Sequence, residues 1–255
     1  MRVISLGWGV QSFTLAVMAA LGDIEPVDAA IHADTGYEAE WTYRFAEKWA
    51  PWLEERGVKV ITANNDNSQI SISRGGGKIY IPAYTNGAYG NKTESQGQLR
   101  RQCTIRWKIQ PIRRWLQTNR NEERVTQLIG ISTDEWQRMK DSDVKYITNA
   151  WPLIEKRMSR KDCEKYLNDH SIEIPHKSAC YFCPYHNTAG WIEIMHSIDA
   201  KKAIEIDKII RNARKGFTVY VHPARKPLED IDFRTLQEKG QMELWDAECS
   251  GICGV

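Results

Sequence analysis

The chain lacks an apolar run long enough to cross a bilayer, which takes about 20 residues. Its N-terminus also lacks the long apolar segment and the small-residue cleavage site of a secretory signal peptide. These two absences predict an intracellular, cytoplasmic protein without a membrane partner. A strong charge excess is missing as well: 35 basic and 33 acidic residues leave a formal net charge of +2. This balance excludes a wholly basic nucleic-acid-binding arm or an acidic tail as the main feature of the chain.

Several common site motifs are also missing. The first Gly-containing turn does not end in the Gly-Lys-Ser/Thr of a Walker loop, and the dinucleotide fingerprint Gly-x-Gly-x-x-Gly is absent. No nucleophile-elbow signal supports a Ser-His-Asp hydrolase. Histidine is scarce, with six residues, and none has a spacing that marks a catalytic base. His32 lies at a predicted strand end near Asp34 and is expected to line a nucleotide site. His176 and His186 flank the pair Cys180 and Cys183, where they would hydrogen-bond to metal ligands or bind zinc themselves.

What is present is a regular alternation of strands and helices in the first 63 residues. That order predicts an α/β fold, a parallel Rossmann-like sheet sandwiched by helices. We expect this nucleotide-binding domain to cover residues 1–150. A smaller, Cys-containing and mainly helical region, 151–255, would pack on it. The predicted elements of the first part are the strands Val3–Leu6, Val27–His32 and Val58–Ala63, and the helices 11–21 and 38–56.

The later elements are predicted from hydrophobic spacing and from turn residues. Residues 64–101 are rich in Asn, Ser, Gly and Tyr and predict a long loop over a substrate site, with room for a short hairpin. Further predictions are helices at 105–120, 159–168 and 188–215, and strands at Val125–Ile131 and Thr218–His222.

The turn from Ser5 to Ser12 follows a strand and opens a helix. Such a turn brings free backbone N–H groups and the positive end of a helix dipole to one place, which suits a phosphate group. Glycines at positions 7 and 9 allow close approach of the backbone. The same pattern is also compatible with a tight structural turn.

Three motifs in this order resemble the PP-loop ATP pyrophosphatase superfamily, and within it the phosphoadenylyl-sulfate (PAPS) reductase-like branch. They are the Ser5–Ser12 turn, Asp34-Thr35-Gly36 after the second strand, and the segment Gly130–Arg138 after the fourth. The resemblance implies a HUP-type sheet and an ATP or related adenine nucleotide site. The implied nucleotide-binding residues are Ser5, Gly7, Gly9, Gln11, Ser12, Asp34, Thr35, Gly36, Gly130 and Arg138.

The resemblance also implies a role for Mg²⁺ and for carboxylates. Adenylating members carry Ser-Gly-Gly-x-Asp-Ser, and this chain departs from that pattern at Gly9 and Gln11. Asp34 and Asp134 are therefore the expected catalytic carboxylates, with Glu135 in support, because magnesium bound with phosphates needs only one or two protein carboxylates. Alternatively, the acids at 134 and 135 only begin an exposed helix, and Arg138 only pairs with Glu135.

Cys180 and Cys183 form a Cys-x-x-Cys-Pro motif, which is compatible with a cluster, with half of a zinc site or with a dithiol. The segment around Cys103 and Lys108 resembles that of cluster-bearing sulfonucleotide reductases, which implies a [4Fe–4S] cluster on Cys103, Cys180 and Cys183. Cys163 is the expected fourth ligand, and its alternative is a buried core cysteine. Cys249, Cys253 or an open iron site are the remaining options for the fourth position.

Two further features bear on partners. The segment Glu248-Cys249 near a glycine resembles the tail on which sulfonucleotide reductases carry a nucleophilic cysteine, so Cys249 is a catalytic candidate, with a frayed terminus as the alternative. Basic residues surround Trp107 and Trp115, which is compatible with nucleic-acid contact or with a solvated helix face. The basic residues are Arg100, Arg101, Arg106, Lys108, Arg113 and Arg114.

The function expected first is an adenylating enzyme of sulfur chemistry. It would activate a nucleic-acid or small-molecule acceptor with release of pyrophosphate, and would then transfer sulfur from a donor. The second expectation is reduction of a sulfonucleotide through Cys249 with a thiol reductant. The third is a nucleotide- or cluster-binding protein without catalysis. The oligomeric state is left open, with a homodimer as one option.

Overall fold

The computed structural model describes residues 1–64, 79–87, 95–213, 216–235 and 238. In this part of the chain, a parallel sheet is formed by β1 (Arg2–Ser5), β2 (Ala29–Asp34), β3 (Val60–Asn64), β6 (Val125–Ile129) and β7 (Ile147–Ala150). The strand order is β3-β2-β1-β6-β7, and each neighbouring pair is parallel. The predicted α/β class with a Rossmann-like parallel sheet is confirmed. Because the order reverses between β1 and β6, their carboxyl ends form the switch point at which such sheets bind ligands.

Helices cover both faces of this sheet, so the successive residues Val3 and Ile4 of the central strand β1 are both buried. On one face, Ile4 and Leu128 pack with residues of α1, α2 and α5 in one buried cluster. On the other face, Val3 and Ile31 pack with the helix α3. The helices are α1 (Val10–Leu21), α2 (Glu40–Glu54), α3 (Gln110–Asn119), α4 (Pro152–Glu155) and α5 (Arg160–Asp169), with a π-helical turn at Thr104–Ile109 before α3 and a 3-10 helix at Thr133–Arg138.

The chain divides into two compact units, and the boundary predicted at residue 150 is not a boundary between them. The first unit is Met1–Ser68 with Thr104–Ala179, and the second is Gln69–Cys103 with Cys180–Val255. Residues 151–179 belong to the first unit because α4 and α5 contribute Leu153, Cys163 and Leu167 to its core.

The second unit contains a sheet as well as helices. Among its described residues, β4 (Tyr84–Gly87) pairs antiparallel with both β5 (Ser95–Gln98) and β8 (Phe217–Tyr220). The β4–β5 pair is the short hairpin expected within residues 64–101. The single helix predicted at 188–215 is two helices, α6 (Thr188–Met195) and α7 (Ala200–Arg211). They are separated where Ser197 Oγ accepts a hydrogen bond from the Asp199 N–H at 3.1 Å, a local bond that competes with helix continuation.

Among the described residues, every helix is too short or too polar to cross a membrane.

Candidate functional site

The predicted phosphate turn connects β1 to α1 at the switch point. Ser12 fixes its shape, because its Oγ accepts a hydrogen bond from the Gly7 N–H at 3.1 Å and donates one to the Gly9 carbonyl at 3.2 Å. Gly9 is the N-cap residue of α1, and no side chain of the described residues caps this helix. Its first turn also contains no acidic residue. The positive end of the helix therefore remains available to an anion.

The loop after β6 packs directly against this turn. A Cβ on Gly130 would lie 2.6 Å from the backbone nitrogen of Ser12, closer than real Cβ atoms come to other atoms. Only glycine lets the two backbones approach this closely. Gln11, which stands where an acid was expected, donates from Nε2 to the buried Ser132 Oγ at 3.4 Å. Gly7, Gly9 and Gly130, three of the residues that the family resemblance implied, thus lie together where the loop after β6 meets the β1–α1 turn.

The Asp34-Thr35-Gly36 segment forms the turn at the carboxyl end of β2. Asp34 Oδ1 accepts hydrogen bonds from the Gly36 N–H at 2.8 Å and from the Tyr43 hydroxyl at 2.9 Å. Burial, together with the hydrogen bond to Asp34, raises the pKa of Tyr43, so this phenol stays protonated and donates. Gly36 has a φ of +72°, which favours glycine at this position. Oδ1 of Asp34 therefore stabilises the turn, and Oδ2 is the oxygen better placed to bind a metal ion.

Sequence reasoning missed Glu38, which is 2% exposed in the same turn. Its Oε1 lies 2.8 Å from Lys108 Nζ and accepts a hydrogen bond from Thr35 Oγ1 at 3.4 Å. Its Oε2 is buried and has no hydrogen-bond partner among the described residues. The sequence offered only a weak signal, since a glutamate two residues before α2 is also what a solvated helix start would show.

His32 lies close enough to this ion pair to be influenced by both of its charges. That it lines a nucleotide site stays a prediction. Its Nδ1 is 3.1 Å from the Leu6 carbonyl oxygen, and because a carbonyl only accepts, Nδ1 carries the proton. Burial lowers the pKa of His32, although the nearby Glu38 acts in the opposite direction. The imidazole is therefore neutral at pH 7 and links the end of β1 to the Glu38 region.

Asp134 and Arg138 serve contacts of the protein itself. Asp134 Oδ2 accepts a hydrogen bond from the Arg160 backbone N–H at 2.7 Å, at the start of α5. Arg138 Nη1 lies 2.7 Å from Glu135 Oε2, which is the alternative interpretation of this arginine. Both side chains remain candidates for nucleotide chemistry only as predictions.

The predicted cluster ligands do not assemble a metal site in the described residues. There, no three side chains of His, Cys, Asp or Glu come together in a way that could hold a metal ion. Cys163 is fully buried in the core of the first unit, where burial raises the pKa of its thiol to about 12, so it fits the alternative of a core cysteine.

The other cysteines lie elsewhere. Cys103, Cys180 and Cys183 are half-buried residues of the second unit. The Cys-x-x-Cys motif forms a turn in which the Cys183 N–H donates to the Cys180 carbonyl at 2.9 Å. His186 Nε2, 2.9 Å from the same carbonyl, holds this turn from the other side. Cys249 and Cys253 lie outside the described residues.

The aromatic residues of the basic segment are not exposed stacking surfaces. Trp107 is 3% exposed, and Trp115 is partly buried against the core beside the sheet. Arg113 forms an ion pair with Asp143. Nucleic-acid contact by this segment stays a prediction, and it would depend on the arginines rather than on base stacking.

The parallel sheet and the helices on its two faces define a Rossmann-like α/β protein. No family model matches the chain, and no curated protein matches it. Among solved structures, the chain is similar to PAPS reductase from Candida auris in a phosphate complex, at 12% identity and a TM-score of 0.46, over 68% of this chain and 74% of that one. At this identity and TM-score, the activity has to be argued from the residues of the chain itself.

Proposed function

We propose that this chain is an adenine-nucleotide-dependent enzyme that holds the nucleotide phosphates on the β1–α1 turn. The observation that carries the proposal is the uncapped N-terminus of α1 at the switch point, where Gly130 lets the β6 loop close against Ser12. Backbone N–H groups fixed in this way stabilise negative charge without reorganisation during a reaction. The choice of adenine is supported by the ordered resemblance of the three motifs.

The first candidate reaction is adenylation. An oxygen of a nucleic-acid or small-molecule acceptor would attack the α-phosphorus of ATP, and pyrophosphate would leave. A sulfur nucleophile from a donor would then displace AMP from the activated acceptor. Asp34, at the edge of the sheet, is the carboxylate that would hold Mg²⁺ together with phosphate oxygens. Magnesium would supply charge neutralisation for the departing pyrophosphate.

A second candidate is sulfonucleotide reduction. The thiolate of Cys249 would attack the sulfur of adenylyl sulfate, the bond from sulfur to the phosphate oxygen would break, and AMP would leave. Two equivalents of a thiol reductant would then release sulfite from Cys249 and be oxidised to a disulfide.

This reaction needs no magnesium-binding carboxylates, and two of the candidates are engaged in contacts of the protein itself. Asp134 accepts a hydrogen bond at the start of α5, and Glu135 pairs with Arg138. Gln11 replaces the acid of the adenylating pattern. The site therefore presents fewer carboxylates for magnesium than the adenylating reaction would use.

Pyrophosphate exchange separates the two reactions. The purified full chain, incubated with ATP, Mg²⁺ and candidate acceptors, should incorporate labelled pyrophosphate into ATP if it adenylates. If it instead reduces adenylyl sulfate with a thiol and never exchanges pyrophosphate, the first candidate is wrong. Cys249→Ser should then abolish reduction. Nucleotide binding without either reaction would indicate a binding protein.

Gly7→Ala tests the phosphate turn itself. The added Cβ would lie 3.7 Å from Ser12 Oγ, an ordinary contact, so the fold should be retained. The methyl group narrows the space through which a phosphate approaches the turn, and we expect ATP affinity to fall about tenfold. Isothermal titration calorimetry measures the affinity, and thermal melting checks the fold.

Gly22→Ala is the matched control at the other end of α1. Gly22 has a φ of +82°, so alanine there should cost about 1 kcal/mol of stability. ATP affinity should be unchanged in this variant. Equal affinities of Gly7→Ala and the parent protein would contradict phosphate binding at the turn.

A further inference from the structure

The carboxylate of Glu38 has one satisfied oxygen and one unsatisfied oxygen. Lys108 and Thr35 both contact Oε1, whereas Oε2 is buried with no partner among the described residues. A buried carboxylate oxygen without a hydrogen bond is costly, and such groups in native proteins call for a partner. Because Glu38 itself is 2% exposed, that partner has to reach into the turn.

The charges around Glu38 indicate what kind of partner fits. The Lys108 ammonium, 2.8 Å away, already neutralises the carboxylate and repels a metal cation. His32 is neutral because burial lowers its pKa, so it adds no charge. The remaining oxygen therefore suits an uncharged hydrogen-bond donor, such as a hydroxyl group, better than Mg²⁺.

The position of Glu38 relative to the phosphate turn indicates which hydroxyl group of a nucleotide could reach it. β2 lies next to β1, at a strand spacing of about 4.8 Å. The Leu6 N–H donates to the Ile31 carbonyl at 2.9 Å, and Leu6 directly precedes Gly7 of the phosphate turn. His32 Nδ1 contacts the carbonyl oxygen of the same Leu6, and the charge of Glu38 acts on this imidazole. The part of a nucleotide that directly follows its phosphates is the ribose.

We propose that Glu38 Oε2 accepts a hydrogen bond from a ribose hydroxyl of the bound nucleotide, with Lys108 and Thr35 holding the carboxylate in place. This inference rests on the proposed nucleotide site and adds a specificity-determining residue to it. Dinucleotide-binding folds use an acidic residue in the same way on ribose, although through a different motif. Glu38 thus selects ribonucleotides over deoxynucleotides.

The test compares the binding of ATP, 2′-deoxy-ATP, 3′-deoxy-ATP and inosine triphosphate to the full chain by calorimetry. In the parent protein, one of the deoxy analogues should bind about 10- to 100-fold more weakly than ATP, as expected for a lost hydrogen bond to a charged group. Inosine triphosphate, which keeps both hydroxyls, should bind the parent protein without this loss. This comparison needs no variant, so it does not depend on how a substitution folds.

Glu38→Met assigns the discrimination to the carboxylate. It should weaken ATP binding by the same factor and reduce the preference over the deoxy analogue to less than about twofold, since the hydroxyl partner is gone. The matched control is Glu40→Gln, two residues after Glu38. It removes an ion pair with Arg44 and should retain the preference for ATP over the deoxy analogue.

The outcomes are distinguishable. If ATP and both deoxy analogues bind the parent protein equally, the ribose contact is wrong and the proposed nucleotide site stands. If Glu38→Met folds and still discriminates, another residue reads the ribose and the inference fails. If inosine triphosphate alone binds the parent protein more weakly than ATP, and Glu38→Met removes that difference, the carboxylate contacts the base and the inference fails. If no adenine nucleotide binds, the proposed function fails together with this inference.

Discussion

Cys163 lies in the core of the first unit, within hydrogen-bonding reach of the Thr14 side chain. Burial raises the pKa of its thiol from 9.0 to about 12. A thiol that ionises only at such a pH is a poor nucleophile at neutral pH. The residue that was expected to complete a cluster is therefore better explained as a packing residue.

The raised pKa of Cys163 makes a prediction about alkaline stability. Between pH 9 and about pH 12, the unfolded thiol loses its proton while the folded thiol keeps it. The free energy of unfolding should then fall with rising pH by up to about 1.4 kcal/mol per unit. Urea denaturation of the parent protein and of Cys163→Ala at pH 8 and pH 10 measures the difference, because other groups titrate alike in both. A pH-independent difference would contradict the burial of this thiol.

Asp134 has a structural contact that predicts a stability effect. Its carboxylate accepts the Arg160 N–H, which is one of the amides at the start of α5 without a partner inside the helix. Asp134→Ala should lower the free energy of unfolding by about 1 kcal/mol, as for loss of a helix cap. The control Glu135→Gln removes only the partly exposed pair with Arg138 and should cost less than about 0.5 kcal/mol. Equal effects in urea denaturation would contradict the capping role.

At the scale of elements, the β6 loop and the start of α1 meet backbone to backbone at Gly130. Gly130→Ala places a Cβ 2.6 Å from Ser12 N and 2.8 Å from Ser12 Cα, and neither backbone atom can move freely. We expect a loss of about 1–3 kcal/mol in stability, the usual range for overpacking, together with weaker ATP binding. Gly7→Ala, by contrast, should weaken binding while retaining stability. Parent-like melting of Gly130→Ala would show that this contact is looser than described.

At the scale of the whole molecule, the second unit is held together by a buried carboxylate. In the second unit, Asp207 is fully buried and accepts hydrogen bonds from Arg211 at 2.6 Å, from the Val221 N–H at 3.1 Å and from the Leu228 N–H at 3.3 Å. One carboxylate on α7 thereby fixes the chain that follows β8. Removing it would leave two buried amides without an acceptor.

Asp207→Ala should therefore destabilise the second unit by about 3–5 kcal/mol, the range for breaking a buried ion pair. Hydrogen exchange should show lost protection at Phe217–Tyr220 of β8. The control Glu229→Gln removes the more exposed partner of Arg211 and should leave this protection in place. Retained protection of β8 in Asp207→Ala would contradict the anchoring role.

Some secondary-structure elements could be predicted from the sequence, whereas others could not. The apolar strands Val3–Leu6 and Val125–Ile131 and the glycines of the first turn were readable because sheet burial and turn geometry impose local residue choices. β7 was missed because its sequence Ile-Thr-Asn-Ala contains no apolar run, and α4 was missed because its four residues make only about one helical turn. The break between α6 and α7 was missed because one Ser-Asp hydrogen bond outweighed a helical pattern.

The sequence alone determined the parallel α/β class and the position of the phosphate turn, since both follow from the spacing of apolar residues and glycines along the chain. Only the tertiary structure decided which side chains remain available for chemistry. It buried Cys163, used Asp134 to hold α5, and placed Glu38 beside Lys108 with one oxygen unsatisfied. The physical reason is that burial and long-range hydrogen bonds join residues far apart in the chain, such as positions 38 and 108, and no local pattern encodes such pairs.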